Sequence, residues 1–181
     1  MSTPPPLAES TPVSVLFVCL GNICRSPTAH GVFESRVRSA GLTGRISVDS
    51  AGTGDWHVGR PPHKSTLAAA RRRGYELEHL RARQVGVNDF DAFDYILAMD
   101  LSNLADLRRM RLLRASSRIG LFLDYHPDAN LVEVPDPYGG GAADFDRVLD
   151  MIETTSDALL KAIRTRHGLL LPPDALASQP D

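Results

Sequence analysis

Cysteine is scarce in this 181-residue chain: there are two, Cys19 and Cys24, both within one short stretch. A framework of several disulfides is thereby excluded, and sparse thiols in a chain without secretory features are more usually catalytic or metal-binding. Zinc needs more ligands than this pair supplies, and His57 and His63, six apart, have no cysteine beside them, so no metal site is read. Long apolar runs are lacking as well. No stretch is long enough to span a bilayer, and residues 1–12 are rich in Pro, Ser and Thr without the apolar core of a signal peptide. The expectation is a cytoplasmic location with no membrane partner. Nor does one sign of charge dominate: 20 Lys and Arg against 22 Asp and Glu give a formal net charge of -2. A nucleic-acid partner held by a broad positive surface is therefore not expected, and any anion site must be focused.

What is present suits one globular domain, with 43% apolar and 23% charged residues. The composition predicts a disordered N-terminal tail over 1–12, one domain over 13–170 and a disordered C-terminal tail over 171–181. Within the domain, Val13 to Val18, Ile46 to Ser50, Tyr95 to Met99 and Ile119 to Leu123 read as strands. Helical spacing follows in Ala29, Val32, Phe33, Val37 and Ala40, over His63–Arg73, over 101–113, and along Phe145, Val148, Leu149, Ile152, Leu159 and Ile163. The Arg71-Arg72-Arg73 run reads as a solvated face. Strands alternating with helices predict a doubly wound, flavodoxin-like α/β fold, with a four-stranded parallel sheet and helices on both faces, because parallel pairs need crossover connections.

Between the first strand and a Pro-led helix start lies Cys19-Leu20-Gly21-Asn22-Ile23-Cys24-Arg25-Ser26. Ser26-Pro27 reads as N-cap and first helical residue. Such a loop offers unpaired N–H groups and the positive end of a helix to a phosphate, and that field favours the Cys19 thiolate. Five intervening residues let the loop curl so that sulfur sits beneath phosphorus while the planar Arg25 fork clamps two oxygens. A cysteinyl phosphate is the expected intermediate. Its formation expels a poor leaving group unless an acid protonates it, and Asp136, held between Pro135 and Pro137, is the candidate acid and later base.

With Val18-Cys19-Leu20-Gly21-Asn22-Ile23-Cys24-Arg25-Ser26-Pro27 early and Asp136-Pro137-Tyr138 late, the chain resembles the low-molecular-weight protein tyrosine phosphatases. Asp49-Ser50-Ala51-Gly52-Thr53, Trp56-His57, Pro61-Pro62, His79-Leu80-Arg81-Ala82-Arg83 and Ala98-Met99-Asp100 extend the resemblance in order. It implies Cys19 as nucleophile, Arg25 as phosphate ligand and Asp136 as general acid, with Leu20, Gly21, Asn22, Ile23, Cys24 and Ser26 around the phosphate. It further implies that Asn22, Ser26, Ser50 and His79 form a network supporting the loop, and that Trp56 and Tyr138 wall a pocket deep enough for a phenyl ring. Cys24 would correspond to a cysteine able to form a reversible disulfide with the nucleophile. No cofactor is implied. The partners implied are a phosphotyrosine-containing protein, with the kinase whose action is reversed as a further candidate, and the chain would be mostly monomeric.

Two positions depart from the family pattern. His30 stands where glutamate is common and is expected to alter surface charge rather than chemistry, whereas Gly139 replaces a frequent second aromatic and is expected to open one side of the pocket rim. Arginine phosphatases of the same scaffold resemble it with threonine at Ile23, so isoleucine favours an aryl phosphate. Arsenate reductases relay oxidation through further cysteines, which this chain lacks.

Overall fold

The computed structural model describes residues 11–111 and 116–169. The tail segments 1–10 and 171–181, together with Leu112 and Leu113 of the helix expected over 101–113, lie outside them. Strand β1 (Val13–Cys19) is apolar at all but Ser14, as a central strand covered on both faces must be. It pairs in parallel with β2 (Ile46–Gly52), from Val13 opposite Ile46 to Cys19 opposite Gly52. On its other side it pairs with β3 (Tyr95–Ala98), which in turn carries β4 (Arg118–Leu121), all parallel. The order is β2-β1-β3-β4.

Side chains alternate across β1. Val15, Phe17 and Cys19 enter one core with Leu97 and Met99, while Leu16 and Val18 enter another with Ile96 and Ala98. The first core is covered by α1 (Arg25–Ser39) and α5 (Ala142–His167), with α2 (Lys64–Arg72) packed on α5. Phe17 meets the edges of Phe33 and Phe122 at ring-centre distances of 5.6 and 5.1 Å. The apolar stripe of α5 buries Phe145, Val148, Leu149, Ile152, Leu159 and Ile163 as its spacing predicts, each contributing about 2 kcal/mol. The second core is covered by the short α3 (Asp89–Ala92) and by α4 (Leu101–Met110).

Several boundaries differ from the sequence reading. Strand β2 runs on through Ala51 and Gly52, since Val85 N–H and Gly52 O at 2.9 Å extend the ladder. Strand β4 stops at Leu121, where the Asp124 carboxylate accepts from Leu121 N–H and turns Phe122–Tyr125 into a 3-10 turn. The Arg71–Arg73 run is not merely solvated: Arg72 binds Asp146, and Arg73 binds Asp150 and Glu153, tying α2 to α5.

From β1 the chain first builds β2 on one side and then crosses to β3 on the other. The carboxyl end of β1 is therefore the point where strand order reverses, the crevice in which doubly wound sheets take their ligands. Cys19 is the last residue of that strand.

Candidate active site

The loop from Cys19 to Arg25 is shaped by where its carbonyls go. Cys19 O accepts from Thr53 N–H at 2.9 Å and Leu20 O from Gly54 N–H at 2.8 Å, both at the end of β2. Ile23 O accepts from His63 N–H at 2.8 Å, and Cys24 O from the Thr28 hydroxyl at 2.7 Å. In a trans peptide the next N–H points opposite to the carbonyl, so these four ties turn the amides of Leu20, Gly21, Cys24 and Arg25 away from them, into the concavity of the loop. An oxyanion cradle is thus held open by its outer bonds.

One residue of the loop is strained. Asn22 adopts φ 54°, the left-handed region that a non-glycine residue avoids. Its side chain holds it there: Oδ1 accepts from Arg83 N–H at 3.0 Å, and Nδ2 donates to Ser26 Oγ at 2.8 Å and to Ser50 Oγ at 3.0 Å. Gly52 lies directly behind, where a Cβ would come within 2.7 Å of Leu20 O and 3.1 Å of Asn22 N. Only glycine lets the loop settle on β2.

Cys19 Sγ receives Asn22 N–H at 3.3 Å and lies 3.1 Å from Ser26 Oγ. Ser26 is therefore not the N-cap expected from sequence. The helix begins two residues earlier than that reading, at Arg25 with Cys24 as its N-cap, and the serine hydroxyl is turned inward to the sulfur and to Ala51 O. The second thiol is placed differently. Burial, reinforced by the neighbouring Cys19 and Asp136, pushes the Cys24 thiol up to about 11, so it stays protonated at neutral pH.

The Arg25 guanidinium is 3% exposed, and Nη1 donates to Asp100 Oδ2 at 2.6 Å and to Val134 O at 3.2 Å. Burial alone would lower its basicity, but Cys19, Asp100 and Asp136 together outweigh that and raise it. Nη2 makes a longer 3.4 Å contact to Asp136 Oδ2. Asp136 is itself half exposed, its Oδ1 accepting from Tyr138 N–H at 3.2 Å.

Cys19, Leu20, Gly21, Ile23, Cys24, Arg25, Trp56, Asp136 and Tyr138 share one cavity of about 190 Å³, together with His57. Trp56 and Tyr138, 67% and 62% exposed, stand at its mouth. The Trp56 ring lies over Gly54, where a Cβ would fall 1.7 Å from a ring carbon. Tyr138 leans edge-on against His63, at 5.5 Å between ring centres. A buried floor of amides and guanidinium beneath an aromatic mouth suits a phosphate carried on a flat apolar group. Among the described residues no group of three or more His, Cys, Asp or Glu is placed to hold a metal ion, and no helix is long and apolar enough to cross a membrane.

The family model for the low molecular weight phosphotyrosine protein phosphatases matches residues 14–168. The chain belongs to that family. It is 47% identical over 157 residues to the Bacillus subtilis low molecular weight protein-tyrosine-phosphatase YfkJ, covering 87% of this chain and 99% of the relative. It is 40% identical over 160 residues to the low molecular weight phosphotyrosine protein phosphatase of Sus scrofa, covering 87% of this chain and all of that one. The crystal structure of YfkJ superposes with a TM-score of 0.82 at 45% identity, covering 88% and 99% of the two chains. A protein tyrosine phosphatase from Entamoeba histolytica, with Hepes in its active site, gives 0.80 at 37% identity, covering 87% and 99%.

Against the family pattern, the supporting network departs at two histidines. His79, expected within it, is exposed and makes no hydrogen bond to Asn22, Ser26 or Ser50 among the described residues. His30, expected to touch only surface charge, is 8% exposed, and its Nδ1 lies 3.2 Å from Ser50 Oγ. The correction has a plain cause: position 30 lies one turn beyond Ser26 on the face of α1 that packs towards β2, so its side chain meets Ser50 rather than water. Gly139 sits at φ 81° with open space where a Cβ would point.

Sequence reasoning passed over three residues. Asp100 holds Arg25, and its position directly past β3, beside β1 at the carboxyl edge of the sheet, was the available signal. Arg83 orients Asn22 through its backbone N–H, which no side-chain pattern reveals. His57 lies against Gly21, where a Cβ would come within 2.9 Å of its ring.

Proposed function

We propose that the chain hydrolyses phosphotyrosine in proteins, with Cys19 as nucleophile, Arg25 as phosphate clamp and Asp136 as general acid and base. What carries this reading is the asymmetry between the two thiols. Cys19 Sγ receives the Asn22 amide and lies 3.1 Å from the Ser26 hydroxyl at the floor of the cradle, whereas burial keeps Cys24 protonated. Family membership and the names of the relatives agree with an aryl phosphate substrate.

In the first step the Cys19 thiolate attacks phosphorus, a sulfur–phosphorus bond forms, and the bond to the tyrosyl oxygen breaks as Asp136 gives that oxygen its proton. The non-bridging oxygens are met by the inward amides and Arg25, and a phosphate oxygen taking over Nη2 releases Asp136 from its 3.4 Å contact. In the second step the Asp136 carboxylate takes a proton from water as it attacks phosphorus. Inorganic phosphate leaves and the thiolate is regenerated. Leu20, Gly21, Ile23 and Cys24 line the phosphate site, while Trp56 and Tyr138 flank the ring. A phosphoserine, being shorter and without a ring, would be stopped by the mouth before its phosphate reached the floor, and would leave Trp56 and Tyr138 without a partner.

Turnover of phosphotyrosine, phosphoserine and phosphoarginine peptides side by side tests the substrate class, and preference for either of the last two refutes it. Cys19→Ser should abolish hydrolysis. Asp136→Asn should slow phenyl phosphate by about 10²–10⁴ while affecting a nitrophenyl ester far less, because only the poor leaving group needs the proton. Equal losses on both esters would remove Asp136 from the acid role.

A further inference from the structure

Proton counting around Asn22 gives the supporting network a direction. Arg83 N–H fixes Asn22 Oδ1 as acceptor, so both Nδ2 protons are committed, one to Ser26 Oγ and one to Ser50 Oγ. Each serine oxygen therefore accepts and has one proton left to place. That of Ser26 faces Cys19 Sγ at 3.1 Å and Ala51 O at 3.2 Å. For that of Ser50, which is 4% exposed, the acceptor found among the described residues is His30 Nδ1 at 3.2 Å. A proton on Nδ1 would put two donors on Ser50 Oγ and leave its own hydrogen buried without a partner.

We propose that His30 is a positioning residue for the nucleophile: as the neutral imidazole protonated on Nε2, it accepts the Ser50 proton and so locks the chain of donors from Asn22 through Ser50 in one direction. The locked amide holds Asn22 in its left-handed conformation and keeps Ser26 oriented to share its proton with the Cys19 sulfur. His30 touches neither substrate nor sulfur and acts through three intervening side chains. The inference rests on Cys19 being the nucleophile, as proposed above.

The surroundings favour the neutral ring. Burial lowers its basicity, Asp49 and Glu34 oppose this, His79 and Arg83 reinforce it, and the net shift is downward. Asp49 lies 4.0 Å from Nδ1 across β2, Glu34 one turn further along α1, and His79 and Arg83 in the segment before α3. A glutamate, common in the family at this position, would remain an acceptor throughout the neutral range. Histidine accepts only while neutral, so this chain ties the support of its thiolate to pH.

The test reads the thiolate without turnover. Alkylation of Cys19 by iodoacetate, followed against pH, should be about three- to tenfold slower near neutrality in His30→Leu, which fills the space but accepts no proton. His30→Asn, whose Oδ1 stands close to where Nδ1 stood, should restore the rate. Equal rates in the wild type and His30→Leu, or slow alkylation in both variants, would overturn the proposal. A measurement on the unmutated protein stands beside these: the nitrogen NMR spectrum of labelled histidine should show His30 protonated on Nε2 alone at neutral pH, and a proton on Nδ1 would refute it. Because alkylation needs no phosphate ester, a wild type that fails to hydrolyse phosphotyrosine would sink the proposed substrate and leave these outcomes readable.

Discussion

Replacing Asp100 by asparagine should damage both the fold and the chemistry, by amounts the geometry bounds. Arg25 is 3% exposed and Asp100 21%, with 2.6 Å between Nη1 and Oδ2. Removing one partner of a fully buried ion pair costs about 3–5 kcal/mol, and a lost charge-assisted hydrogen bond about 1.5–3 kcal/mol. Partial exposure of Asp100, and the Val134 carbonyl that Arg25 keeps, place this case near the lower figure, about 2 kcal/mol of unfolding free energy. Asparagine can still accept from Asn103 N–H, the 2.7 Å bond that caps α4, so the loss belongs to the guanidinium. Asp100→Ala should cost about 1 kcal/mol more, the value of the cap. Catalysis should fall with stability. With Asp100 neutral, Asp136 is left as the carboxylate beside Arg25, and a tighter pair between them would misplace both for the roles proposed above. A roughly 30-fold drop in kcat/KM on an aryl phosphate corresponds to about 2 kcal/mol. Urea unfolding and steady-state kinetics on the two variants provide the numbers. If Asp100→Asn matches the wild type in both, Arg25 is held by its other contacts and the argument fails.

Gly52→Ala should displace the Cys19–Arg25 loop, since the new Cβ meets backbone atoms at 2.7 and 3.1 Å, costing about 1–3 kcal/mol of stability and at least about tenfold in kcat/KM. Unchanged kinetics would show the loop can yield. With Cys24 pushed up to about 11, limited iodoacetamide at neutral pH should label one cysteine, and peptide mapping should find it at Cys19. Labelling at Cys24 first would contradict its raised pKa. His30 also predicts a stability slope: an unfolded chain takes a proton near 6.5, whereas burial keeps the folded imidazole neutral to lower pH. Its contribution is therefore complete above that value and is lost as pH falls below it. Unfolding free energy measured near pH 7.5 and near pH 5.5 should fall less in His30→Asn than in the wild type, and parallel lines would refute the direction of the shift.

The candidate loop was legible because its chemistry is contiguous: directly after a strand, thiol, tight turn, arginine and helix start follow one another in eight residues. The sheet was legible for a similar reason, since four apolar runs separated by helical spacing leave little choice of architecture. Legibility ended where partners come from afar. Asp100 is 75 positions from the arginine it holds, and Arg83 is 61 from Asn22. Ser26 was misjudged because Ser-Pro before a helix is a capping signal locally, and the pull of Asn22 and the sulfur on its hydroxyl appears only after folding. His30 shows the limit most clearly. Its letter was noticed, but whether a histidine meets water or Ser50 depends on how α1 rolls against β2.

The left-handed turn at Asn22 has one more consequence. The bonds that hold it reach residues 50 and 83, and the cradle's carbonyls need 53, 54 and 63, so none of this exists in a chain that has yet to dock those segments. The reactivity proposed for Cys19 therefore requires tertiary structure, and the rate at which the sulfur is labelled during refolding should serve as a clock for the last stage of assembly.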